Sequence, residues 1–287
     1  MGRHGRGDSE SLAEFFSFVE TAYHGPPASY VPWKFIWRGL GNANYALHSK
    51  MYRDISDDGR VRRTEIELRT EEAKLLRTAR RTWHIGQSAQ GRLSDLDVLA
   101  VIQHHEGATR LIDFSHNALV GLWFAVQDPK YDGLKDSRVV VVDTSNTGAG
   151  VTRTSREVPS EWHYKSELPW SEDWGEHGRQ ALFWNASPID PRMASQHGCF
   201  LFGPVPANVR AYASVPITAV NEDQLRRICG LTSVSGTHPG NIMFTVRVEM
   251  GTRAQIRQTL ERSFGLTHAR LFPDTHGLIK YRASVSD

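Results

Sequence analysis

The sequence predicts a single compact α+β domain, on three observations. Helical patterns crowd the first half of the chain, β-branched and aromatic runs bounded by turn formers crowd the second, and the two do not alternate as a βαβ wind would. Helices mainly in the first half and a mixed or antiparallel sheet in the second half are therefore expected. With 287 residues and no linker-like stretch inside, one domain over residues 9–282 is expected between a flexible tail at 1–8 and a polar tail at 283–287.

Leu12, Phe15, Phe16, Val19 and Tyr23 follow a serine cap at helical spacing and stop at Gly25-Pro26-Pro27, predicting a first amphipathic helix. Lys34 to Gly39 is a short aromatic and β-branched run closed by glycines, a strand that delivers Arg38 to its C-terminal edge. From Arg63 to Trp83, the apolar stripe of Ile66, Leu68, Leu75, Leu76 and Ala79 predicts a long helix with a basic outer face. Ser94 to His105 opens with a capping signal and turns almost wholly apolar, as a buried helix does. Thr109 to Ser115 alternates as a strand, which would put Thr109 and Asp113 on one face and Arg110 on the other. Asn117 to Val126 reads as another buried helix, and Ser137 to Asp143 as the clearest central strand. Further strands are expected at 180–184, 198–202, 212–217 and 242–248, then a helix from Arg253 to Phe264 with Gly265 as its C-cap. Residues 155–178 hold Trp162, Trp170 and Trp174 among acidic neighbours, fit no period, and read as a surface loop or lid.

Composition narrows the function classes. Hydrophobic residues at 39% and charged residues at 23% describe an ordinary globular chain, and no apolar run approaches the roughly 20 residues of a membrane span. The basic start lacks an apolar stretch behind it, which argues against export, and Cys199 and Cys229 sit among apolar neighbours as reduced thiols do, so a cytoplasmic setting is expected. A formal charge of +2 gives no global pull toward nucleic acid, but Arg60 to Trp83 carries a local basic excess that could contact a phosphate backbone or simply be solvated.

Several side chains are candidates for chemistry. Arg38 at a strand edge either forks a pyrophosphate or pairs with a carboxylate such as Asp113. An ionised Asp113 in an apolar run needs a partner, as part of a site or of a structural ion pair. His105 carries an imidazole, the side-chain type most often used as a general acid or base. His104, His105 and Glu106 are metal-ligand types, but adjacent side chains diverge and no metal-binding spacing supports them, so no metal is expected. Ser115 lacks the glycine elbow of a hydrolase nucleophile. Gly39-Leu40-Gly41 lacks the third glycine and the lysine of phosphate-binding loops, so side chains would have to hold any phosphate.

These residues resemble the FRG domain, a bacterial family named for an aromatic-Arg-Gly tripeptide. Trp37-Arg38-Gly39 matches the tripeptide, and Leu47-His48-Ser49-Lys50-Met51-Tyr52-Arg53 stands in the place of the family's Pro-Ser-Leu-Phe-Arg segment. The run from Gln103 to Ser115 resembles the family's Gln-His-His-Gly-Leu-Pro-Thr-Arg-Leu-Leu-Asp-Trp-Thr core, with Glu106 inserted before Gly107 and Ala108 in place of the usual proline. Arg192 to Phe200 and Leu271 to Leu278 are similar to two later motifs of the family.

A weaker resemblance is to ADP-ribosyltransferases, in which an aromatic-Arg strand binds the phosphates of NAD, a second strand ends in a Ser or Thr that holds the nicotinamide ribose, and a helix follows. Trp37-Arg38-Gly39, Asp113-Phe114-Ser115 and Gly121 to Ala125 follow that order. The third element would start with a catalytic Glu, where this chain has Gln196; a neutral amide cannot offer the charge that stabilises an oxocarbenium-like transition state. The resemblance implies an ADP-ribosyltransferase-like fold and an enzyme that uses NAD as substrate and modifies DNA, RNA or protein, in a toxin-like or anti-phage setting. Arg38, Gly39, Thr109, Arg110 and Ser115 would bind the dinucleotide, and His105, Asp113 and Gln196 would act in catalysis. The alternative is a non-catalytic module that recognises a nucleotide or nucleic acid with the same polar pocket.

Overall fold

The computed structural model describes residues 12–17, 19–20, 35–45, 47–54, 64–85, 87–88, 91–144, 155–157, 181–186, 191–203, 205, 243–275, 277–279 and 281. Of the loop or lid expected at 155–178, Ser155–Glu157 are a strand instead, and the rest lies outside the described residues, as do the strand at 212–217, Cys229 and both tails. Nine strands are described: β1 (Phe35–Leu40), β2 (Gln87–Ser88), β3 (Gly91–Arg92), β4 (Ile112–Ser115), β5 (Ser137–Asp143), β6 (Ser155–Glu157), β7 (Ala181–Trp184), β8 (Gly198–Phe202) and β9 (Met243–Val248). Seven of them form one sheet in the order β6-β7-β8-β4-β1-β5-β9, antiparallel except at the β6–β7 edge. β2 and β3 form a separate ribbon.

The architecture is α+β. Three adjacent strands of its sheet, β4, β1 and β5, come from the first half of the chain and are interleaved with helices, so the division of helices and strands between the two halves is looser than the sequence pattern predicts. The helices are α1 (Lys50–Asp54), α2 (Glu65–Arg81), α3 (Asp95–His104), α4 (Ala118–Val126), α5 (Pro191–Ser195), α6 (Arg253–Phe264) and α7 (His268–Leu271), and residues 12–17 are helical as well. None among the described residues is long and apolar enough to cross a membrane.

Local chemistry explains the boundaries. Thr64 and Ser94 open α2 and α3 with reciprocal capping boxes to Glu67 and Asp97, and Asn117 accepts from the Leu119 N–H at the start of α4. Gly265 closes α6 in the left-handed conformation, φ 65°.

Strand β4 begins only at Ile112, three residues later than the alternation suggests. The Thr109 hydroxyl accepts the Leu111 N–H at 3.1 Å, and this local bond draws the chain out of the ladder.

Trp37, Val139 and Val141 on one face of the sheet pack with Val120, Leu122, Ile256 and Leu260 of α4 and α6. Leu182, Trp184, Phe200 and Phe202 form a neighbouring cluster with Leu76 of α2 and Leu96 and Leu99 of α3. A third cluster, including Ile36, Val140, Val142, Phe114 and Leu201, lies on the alternate residues of the same strands. Gly39 and Gly121 permit β1 and α4 to touch backbone to backbone: a Cβ on Gly39 would stand 2.2 Å from the Gly121 carbonyl oxygen.

Candidate ligand-binding cleft

β1 pairs with β5 along its whole length, from Phe35↔Asp143 to Leu40↔Arg138. β1 meets β4 at the single register pair Trp37↔Ser115, beyond which the two strands lose their ladder. A cleft of about 520 Å³ opens there, within the ordinary range for small-ligand sites. Arg38 sits in the opening. Its guanidinium donates to the Asp113 backbone carbonyl at 2.6 Å and lies 3.6 Å from the Asp113 carboxylate.

Asp113 presents a carboxylate to the cleft, its side chain 57% exposed. The Gln103 side-chain amide donates to it at 2.9 Å, and Thr109 Oγ1 donates to the other end of that amide at 2.7 Å. Burial lowers the pKa of Arg38, the nearby positive charge of Arg53 lowers it further, and Asp113 opposes both.

The remaining expected site residues fall into different places. Ser115 is buried beside the cleft and its hydroxyl is used twice, donating to the Gln196 carbonyl at 2.7 Å and accepting from the Asn117 N–H at 2.9 Å. Gln196 lies just before β8 and lines the cleft, with its amide donating to the Leu271 carbonyl at 2.8 Å. Gly39 lines the cleft and serves the β1–α4 contact.

Thr109 is fully buried behind Gln103 and reaches the cleft only through that amide. Arg110 leaves the cleft altogether. It is buried between α2 and the β8 end, forking Glu72 at 2.8 and 2.6 Å and reaching Glu65 at 3.0 Å. Burial alone would lower its pKa, but Glu72 and then Glu65 outweigh that and raise it. This side chain is an internal ion-pair centre, because it points away from the Asp113 side and meets the two acidic side chains of α2.

His105 is exposed at the C-cap of α3 and is absent from the cleft wall among the described residues, whereas its neighbour His104 lines it. Their rings meet edge to face at 4.8 Å. Glu106 follows in the left-handed region at φ 64°, and Gly107 donates to the Ile102 carbonyl at 2.8 Å, so the helix ends in a Schellman turn with Glu where Gly is favoured. Both residues line the cleft. Among the described residues no three His, Cys, Asp or Glu side chains gather as a metal site requires.

Residues outside the expected set complete the walls. His48, Lys50 and Arg53 come from the short α1 region, and the Lys50 ammonium donates to the Glu106 carbonyl at 2.6 Å. Tyr45 and Tyr131 both line the cleft and join hydroxyl to hydroxyl at 2.8 Å. Arg192 stacks over the Phe272 ring at 4.2 Å and donates to the His104 carbonyl at 3.1 Å. Gln103 and Arg53 stand inside runs that the sequence singles out, but no periodicity marks which members of those runs face a common space.

Residues 33–133 match the family model of the FRG domain, which supports the FRG family for the part of the chain that holds β1, α3, β4 and α4. No curated protein and no solved structure matches the chain.

Proposed function

We propose that the chain is an ADP-ribosyltransferase-type enzyme that uses NAD as substrate and modifies a nucleic acid or a protein. The observation that carries this reading is the meeting of Arg38, Ser115 and Gln196, distant in sequence, at the adjoining ends of β1, β4 and β8 around one cleft. Arg38 is suited to a phosphate because its fork stands where the sheet opens. Asp113 supplies the negative charge that Gln196 lacks. In the reaction, the bond from the ribose C1′ to the nicotinamide nitrogen breaks and its electron pair leaves with the nicotinamide, neutralising the pyridinium. An acceptor nucleophile bonds to C1′, and its proton passes to a carboxylate such as Asp113 or to water.

One observation favours the alternative, a non-catalytic module that recognises a nucleotide or nucleic acid. The Ser115 hydroxyl and the Gln196 amide already hold protein partners, so two positions that the resemblance assigns to ribose binding and catalysis are occupied from within. Mass-spectrometric detection of nicotinamide release and of ADP-ribose on DNA, RNA and protein separates the two. The enzyme reading expects turnover that Arg38→Ala and Asp113→Asn abolish. Nucleotide binding by the wild type, with no nicotinamide released on any acceptor, would leave the binding module as the account.

A further inference from the structure

The His48 to Arg53 wall of the cleft has no part in the chemistry above, yet it is firmly built. Met51 is buried, its N–H donating to the Thr109 carbonyl at 3.2 Å, and the Arg53 N–H donates to the Ser49 carbonyl at 3.2 Å. The His48 and Tyr52 rings meet edge to face at 5.0 Å. This framework sets His48, Lys50 and Arg53 against the same space as Arg38.

Positive charge on that wall is poorly compensated. Lys50 is bonded to a backbone carbonyl, which leaves its charge un-neutralised. Among the described residues no carboxylate lies within ion-pair distance of Arg53. Arg38 reaches Asp113 only at 3.6 Å, and its Nε is buried without a hydrogen-bond partner. After burial, the Arg53 charge lowers the pKa of both Arg38 and His48, which puts the three groups within electrostatic reach of one another. Among the described residues three carboxylates line the cleft: Asp128 pairs with Lys130 at 2.6 Å, Asp113 is engaged by Gln103 and Arg38, and Glu106 stands beside Lys50, whose ammonium its backbone carbonyl accepts.

We propose that Arg53, together with Arg38 and Lys50, forms a diphosphate subsite, in which Arg53 takes the phosphate next to the one that Arg38 holds. Like charges gathered on one wall are relieved by an anion carrying more than one negative charge. Two planar forks and an ammonium suit two adjacent phosphates better than a single carboxylate. The inference rests on the reading of this cleft as a nucleotide site, and it names the diphosphate as the group recognised.

The test is calorimetric titration of the full chain with inorganic pyrophosphate, ADP-ribose and adenosine monophosphate, for wild type, Arg53→Gln and Arg53→Lys. Arg53 is exposed, and an unchanged ligand-free melting temperature confirms that each variant folds. Arg53→Gln is expected to weaken pyrophosphate and ADP-ribose by about tenfold or more, in keeping with loss of a charged hydrogen bond, and the monophosphate by less than about threefold. Arg53→Lys should restore part of the loss.

Equal pyrophosphate affinity in wild type and Arg53→Gln, or no pyrophosphate binding by wild type, overturns the subsite. Nicotinamide release that is unaffected by Arg53→Gln also overturns it while leaving the transferase reading in place. Arg53-dependent pyrophosphate binding without any nicotinamide release upholds the subsite and removes the transferase reading.

Discussion

Thr109 Oγ1 donates to Gln103 Oε1 at 2.7 Å, and this one bond decides which end of the Gln103 amide faces the cleft. With the oxygen taken, the amide nitrogen is left to donate to Asp113 at 2.9 Å. A buried threonine outside the cleft thereby orients a carboxylate inside it.

Thr109→Val removes both that bond and the acceptor of the Leu111 N–H. A loss of about 1–3 kcal/mol in unfolding free energy is expected, as for buried polar groups that lose their partners. Urea denaturation measures it. An unchanged midpoint would show that the Gln103 amide is held by something else.

Glu106 occupies a left-handed position that glycine adopts without strain. Glu106→Gly is expected to stabilise the fold by about 1 kcal/mol, against the roughly 1–2 kcal/mol that such a conformation costs a residue with a Cβ. Gly107→Ala should do the reverse, since its Cβ would come 2.3 Å from the Ile102 side chain. Thermal denaturation of the two variants should move in opposite directions. A destabilised Glu106→Gly would mean that the carboxylate contributes more than the backbone strain costs.

Arg110 and Glu72 are 1% and 0% exposed at their side chains and bond to each other through two nitrogens and two oxygens. Arg110→Met alone takes the guanidinium fork away from a buried carboxylate and should cost about 3–5 kcal/mol. Adding Glu72→Leu should recover much of that loss, because an apolar pair removes the desolvation penalty along with the attraction. A double variant as unstable as the single one would assign the loss to packing.

Asp132 accepts from Arg257 at 3.0 Å and lies 3.4 Å from Arg253, and these partners, Arg257 first, lower its pKa below the ordinary 3.8. A depressed folded-state pKa means that the pairing contributes fully above the unfolded value and is lost as pH falls through the folded one. Asp132→Asn should destabilise the protein at neutral pH and shrink the difference from wild type below pH 3.8. A difference that stays constant down to acid unfolding would sink the ion-pair account.

The elements were legible wherever the signal is local. The Ser94 cap, the apolar run of α4, the β-branched Ser137–Asp143 strand and the Gly265 C-cap depend on residues within one turn or one strand of each other. The pairing of Arg38 with Asp113 was one of two roles the sequence left open, because a charge in an apolar run demands a partner without naming it. His105 and Arg110 show the limit of such reading. One residue of helix rotation places His104 rather than His105 at the cleft, and two acidic side chains of α2, far away in sequence, hold Arg110 inward. Neither is visible in a pattern of residue types.

By itself the sequence determined which segments could be helix or strand, which glycines and caps end them, and that Arg38 and Asp113 must be satisfied. Tertiary structure alone decided that β1 and β4 part after Trp37 and Ser115, that the His48–Arg53 wall faces the gap, and that Gln196 arrives beside Ser115. The physical reason is range. Hydrophobic period, capping and turn chemistry act over a few neighbouring residues. The cleft arises where strands far apart in sequence are brought into one sheet, and their unequal pairing is settled only when every layer packs at once.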